Sequence, residues 1–182
     1  IEHGKSDFRY MTFPEGLSNF NGRTFSSLVD FTGAVFISGL AMQEVRLSQG
    51  LSLETEGVLG IDLSRATIYG PVTLIVKGTI HDLALRNAKL SGPFYLSAKA
   101  VRVISCHEAV FSETMHIQVD EHLDGLTLDT AILAKGLIVK TSSFRAIHLR
   151  QGEFSGDSVI ETKSCDDIDA PVEHSKAMSR FR

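Results

Sequence analysis

Apolar residues recur along this chain at alternating intervals of 22 and 21. One series runs Phe20, Met42, Leu63, Leu85, Cys106, Leu128, Leu149. A second, about eleven residues later, runs Phe31, Leu53, Leu74, Leu96, Ile117, Val139, Ile160. Flanking columns keep the same register. Two residues before the first series stand Leu40, Ile61, Leu83, Ile104, Leu126 and Ile147. Two before the second stand Val29, Leu51, Val72, Phe94, Met115 and Leu137, with Ser158 breaking the rule. Five after the first come Phe25, Leu47, Ile68, Leu90, Phe111, Leu133 and Phe154. Three after it come Arg23, Val45, then Ala66, Ala88, Ala109 and Ala131, and finally Gly152.

Within a repeat the apolar positions lie two apart, as in Leu83/Leu85 and Phe94/Leu96. That is the inward set of a short strand, and it does not fit the i, i+3, i+4, i+7 face of a helix. Short strands at a fixed period of 21–22 residues predict an all-β fold, a right-handed parallel β-helix of about seven coils. Each column then becomes a ladder of interior side chains, and the small Ala column marks a tight corner. Leucine-rich repeats share the period but require a recurring Asn, and no Asn column exists.

Four segments carry a further likeness: Phe31-Thr-Gly-Ala-Val-Phe36, Leu63-Ser-Arg-Ala-Thr-Ile68, Leu85-Arg-Asn-Ala-Lys-Leu90 and Leu128-Asp-Thr-Ala-Ile-Leu133. Each places Ala two before a central Leu, Phe or Ile, with an apolar centre five residues earlier. The chain thus resembles pentapeptide-repeat proteins over about half of each coil, across residues 20–160. The resemblance implies a four-sided β-helix with the central Leu or Phe pointing inward. It implies no common catalytic residue, because members mostly bind, mimic or scaffold. The other half departs from it: three after the second series come Ala34, Glu56, Lys77, Lys99, Asp120 and Ser142. A looser corner or loop carrying this polar column outward is expected there.

Residues 1–19 fall outside the register and read as an N-terminal cap. Phe8, Tyr10 and Phe13 suggest a short strand or flap over the first coil, with Pro14-Glu15-Gly16 as a turn. The β-helix proper is placed at 20–162. Residues 163–182 are a polar tail or a short capping helix starting at Pro171, with Val172, Met178 and Phe181 available to pack on the last coil.

Composition narrows function mainly by exclusion. The 182 residues suit one domain with a core large enough to need no metal or disulfide. The net charge of −4 argues against a phosphate-contacting nucleic-acid binder, and too few Asp/Glu columns exist for a mimic of duplex DNA. Two cysteines, Cys106 in a core column and Cys165 in the tail, do not read as a disulfide framework, so a reducing, cytoplasmic setting is expected. The longest apolar run, near Gly70–Val76, is too short to span a bilayer. The start at Ile1 suggests a fragment of a longer protein. Seven scattered histidines and the absence of phosphate-loop, dinucleotide or nucleophile-elbow motifs predict no metal, no cofactor and no catalytic residue.

Function must therefore sit on the outward columns. One outward ladder holds Thr73, Tyr95, His116, Ile138 and Val159, beside Glu54, Ile75, Ser97, Gln118 and Lys140. Ile75, Tyr95, Ile138 and Val159 make this face more apolar than a solvated strand needs, so together with His116 it reads as a protein interface or a self-association surface. A second face holds Ser64, Arg86, His107, Asp129 and Arg150, beside Asp62, Ala84, Ser105, Thr127 and His148. It offers an alternative: a carbohydrate-binding or carbohydrate-cleaving face using Arg86, His107, Asp129, His148 and Arg150, with His107–Asp129 as an acid/base pair. Against it stand the ordinary need for mixed charge on a surface and the lack of facing carboxylates. The expected function is a non-enzymatic scaffold or interaction domain.

Overall fold

The computed structural model describes residues 6–14, 18–169 and 180–181, and only the backbone of 165–169 and 180–181. All regular structure there is parallel β, wound as a solenoid. A narrow sheet of seven two-residue rungs runs from Thr24–Phe25 to Glu153–Phe154. A broad sheet is built on long strands: Val72–Ala84, Phe94–Ser105, Met115–Thr127, Leu137–His148 and Val159–Asp169. Seven rungs at ~4.8 Å make a rod about 30 Å long. No helix among the described residues is long and apolar enough to cross a membrane.

The inward ladders are those the periodicity predicts. Met42, Leu63, Leu85, Cys106 and Leu128 are fully buried, and so are Phe31, Leu53, Leu74, Leu96 and Val139. They belong to one continuous core that no single coil could form alone. The pairing registers place Leu74 beside Leu53 and Leu96, one rung apart. Ser158, the exception, is buried too. Its Oγ accepts the Leu137 N–H at 3.2 Å, whereas the matching amides Val72 N and Met115 N donate to backbone carbonyls at Pro93 and Gly136.

The Ala column marks the tight corner, and the backbone shows why. Ala66 N–H donates to Leu63 O at 3.1 Å, Ala88 to Leu85 at 3.1 Å and Ala109 to Cys106 at 3.0 Å, closing a four-residue turn in each coil. The third residue of every turn is left-handed: Gly22, Glu44, Arg65, Asn87, Glu108, Thr130 and Gln151 have φ between 55° and 68°. That is the type II requirement at i+2, met by glycine in the first coil alone. Between the described turns these residues donate N–H upward, as Arg65 to Arg86 O and Asn87 to His107 O, both at 2.8 Å. The corners thus stack by hydrogen bonds as the sheets do.

The opposite corner corrects one expectation. Only the first coil turns there in the same way, with Gly33 at φ 71° and Ala34 N–H donating to Phe31 O at 3.0 Å. From Val72 onward the corner is a bend within an unbroken strand, not a loop. Its register slips at Val76/Thr79, Ala98/Val101 and Val119/His122. Each slip is a bulge that absorbs one residue. From the second series to the next inward Leu or Ile the chain takes nine residues (Leu74 to Leu83), then eight (Leu96 to Ile104), then nine (Ile117 to Leu126). This corner is therefore where the 22/21 alternation arises. The polar column does point outward: Glu56, Lys77, Lys99 and Asp120 are exposed.

The N-terminal segment joins the register as a partial rung. Phe8 N–H donates to Asp30 O at 2.8 Å, Tyr10 N–H to Thr32 O at 3.1 Å, and Thr12–Phe13 pairs with Val35–Phe36. Phe8 stacks on Phe31 at 4.9 Å and Phe13 on Phe36 at 5.0 Å, plugging the end of the core with aromatic rings. At the other end, strand pairing continues past residue 162 to His148↔Asp169, and Arg180–Phe181 pairs with Val159–Ile160 as strand. The turn expected over Pro14-Glu15-Gly16 and the helix expected over Val172–Arg182, with its Val172 and Met178 contacts, otherwise lie outside the described residues.

Candidate functional site

The broad sheet brings the apolar outward residues into two adjacent ladders. Cα pairing runs Thr73↔Tyr95↔His116↔Ile138↔Val159, and alongside it Glu54↔Ile75↔Ser97↔Gln118↔Lys140↔Glu161. Tyr95 is 37% exposed, while Ile75, His116, Ile138 and Val159 are half-buried. Ile75 stands diagonal to Tyr95 on the same face, within reach of a long side chain. The apolar strip from Tyr95 to Val159 spans four rungs, about 15 Å. A stable protein interface covers ~800 Å² per partner, of which a strip this long makes up only a part.

Next to the strip the bent corner opens a groove of about 680 Å³. Gln118, Asp120, Lys140, Ser142, Glu161 and Lys163 line it. Lys140 Nζ lies 3.1 Å from Glu161, and Ser142 Oγ donates to Asp120 O at 2.7 Å. The apolar line thus lies directly beside charged groups. The sequence identified the line but not the groove, which depends on how the corner bends.

The alternative face maps onto the turns. Arg86, His107, Asp129 and Arg150 are second residues of successive turns, with Arg86 and His107 exposed and Asp129 half-buried. His107 Nε2 lies 3.4 Å from Glu108, its own neighbour in the turn. Asp129 Oδ1 accepts the Arg150 backbone N–H at 2.9 Å and helps join two coils. His148 is half-buried in the adjacent ladder, level with Thr127 and Asp169. The Asp129 carboxylate is thus engaged with the backbone. Among the described residues no three His, Cys, Asp or Glu side chains gather as a metal site.

Charge elsewhere pairs between neighbouring coils: Arg65–Glu44 at 2.8 Å, Lys77–Glu56 at 2.7 Å, Lys135–Glu113 at 2.7 Å. The Lys77 ammonium is held above its ordinary range by its hydrogen bond and charge contact with Glu56. These exposed pairs add little stability individually. They are spaced 21 or 22 apart, so they also favour the correct stacking register. Comparison with known proteins finds no matching family model, no matching curated protein and no matching solved structure.

Proposed function

We propose that this β-solenoid is a scaffold that does no chemistry of its own and associates with a second copy of itself through the Ile75/Tyr95/His116/Ile138/Val159 face. The observation that carries this reading is the apolar ladder in continuous register beside a charged groove. Symmetry supports a second copy as the occupant. Two copies packed antiparallel about a two-fold axis between the His116 and Ile138 rungs set Tyr95 of each against Val159 of the other and His116 against Ile138, so the apolar side chains cover one another. A two-fold contact of this kind is self-complementary and closes as a dimer.

Light scattering coupled to size exclusion tests it. Wild type is expected to scatter as a dimer, and Ile138→Asp as a folded monomer with unchanged far-UV circular dichroism. Tyr95→Asp and Val159→Asp should each weaken the dimer as well. A wild type that stays monomeric at its highest soluble concentration overturns the proposal.

A further inference from the structure

We propose that a groove on the opposite side of the molecule, at its N-terminal end, is a binding site for a neutral polyhydroxylated ligand such as a monosaccharide. The groove arises where outward side chains are missing. Along this side the outward positions of successive rungs are Gly39, Gly60 and Asp82 in one column, and Asn19, Ala41 and Asp62 in the next. Two glycines and an alanine leave a depression of about 440 Å³. That lies within the ~300–1,000 Å³ of small-ligand sites.

Polar groups converge on it in fixed orientations. Asn19 Oδ1 accepts the Asn21 N–H at 2.9 Å, and Asn21 Oδ1 accepts the Gln43 N–H at 2.8 Å. With both amide oxygens tied to backbone, both Nδ2 groups are left as donors with no partner among the described residues. Asp62 Oδ1 accepts the Ser64 N–H at 2.9 Å, and Oδ2 accepts the Gln43 Nε2. Burial pushes the Asp62 carboxyl up, but the bonds from Gln43 and Ser64 and the nearby Arg86 charge outweigh it and keep it ionised. Asp82 stands exposed on the wall above Gly60, and Leu59, 52% exposed, forms the apolar wall.

This donor and acceptor set selects a ligand class. Two carboxylates in the groove repel an anion. The fixed Asn19 and Asn21 donors offer nothing to a cation. A polyol presents both O–H donors and oxygen acceptors, so it satisfies the amides and the carboxylates together. The site lies in the coils before the Arg86/His107/Asp129 turns, draws on Arg86 only through its charge near Asp62, and does not depend on self-association.

Amide-detected NMR titration tests the proposal on the intact chain. The probes are D-glucose, D-galactose, D-mannose and N-acetyl-D-glucosamine, added singly, with spermidine as a cationic control. At least one sugar is expected to give saturable shifts of the Asn19 and Asn21 side-chain NH₂ pairs and of the Gly39 and Gly60 amides. Asp82→Ala removes an exposed wall that no other group leans on, and should weaken that sugar about tenfold with the rest of the spectrum unchanged. No saturable shift with any sugar, a response to spermidine alone, or an Asp82→Ala variant that binds the sugar as wild type does would each overturn it.

Discussion

Glutamate-to-glycine substitution at two exposed positions isolates what the turn column costs. Glu108 sits at φ 56° in a turn, while Glu121 lies at the bulge of the strand Met115–Thr127, outside the left-handed region. Both side chains are about half exposed, and each has a single weak ionic neighbour, His107 at 3.4 Å and Lys99 at 3.5 Å. Replacing either Glu by Gly frees the unfolded chain equally, so that contribution cancels in the comparison. In the folded state, Glu108→Gly relieves a left-handed penalty of about 1–2 kcal/mol. Glu121→Gly relieves nothing and should cost about 0.5–1 kcal/mol. Glu108→Gly is therefore expected to be neutral or stabilising, with a gap between the two of about 1–2 kcal/mol. At roughly 2–4 °C per kcal/mol for a chain of this size, the gap is about 2–8 °C in Tm. Urea and thermal unfolding followed by circular dichroism at pH 7 measure it. Equal destabilisation by the two substitutions, or a larger loss at Glu108, would refute the assignment of strain to this column.

Two further outcomes follow from the core. Burial pushes the Cys106 thiol well above its ordinary pKa, and the thiol lies at a fully enclosed rung. In a Cys165→Ser background, labelling of the remaining thiol by a disulfide reagent should be limited by unfolding and should accelerate by orders of magnitude in urea; rapid stoichiometric labelling with native circular dichroism would contradict this. Ser158→Val supplies the residue type its column takes at Val29 and Val72, yet should destabilise the protein, because it strands the buried Leu137 N–H at a cost of about 1–3 kcal/mol. A Ser158→Val variant as stable as wild type in urea would show that this amide finds another acceptor.

Most of the fold is legible because a solenoid writes its contacts into sequence separation. A ladder contact between Leu63 and Leu85 is a 22-residue interval, so the period reports tertiary neighbours directly. The Ala column reports the tight turn for the same reason: with the preceding residue left-handed, the fourth position is enclosed beneath the next coil. What escapes the reading is backbone that carries no side-chain signature. Nothing in Lys77-Gly-Thr79 or Lys99-Ala100 distinguishes a bulged strand from a loop, because exposed polar residues serve both. The partial N-terminal rung was readable in principle. Phe8 and Phe13 are five apart like Phe31 and Phe36, but their offset of 23 falls outside the 22/21 rule.

The two surfaces differ in how sequence records them. The Tyr95/Ile138 face is written in residues that are present, and apolar side chains at outward strand positions stand out against a polar background. The N-terminal groove is written in residues that are small, and glycine at an outward position reads as punctuation until the register shows two of them stacked. Gly39 and Gly60 belong to the same ladder as Asp82 and Val103, so the depression ends where side chains resume. Its polar lining is equally hidden, because Asn19 and Asn21 lie in one coil and Gln43 in the next, spaced as unremarkable surface residues. Their orientation depends on backbone N–H groups that only the turn geometry supplies. On a repeat scaffold, then, columns that gain apolar side chains mark where a flat partner can rest, and columns that lose side chains mark where a small ligand can enter.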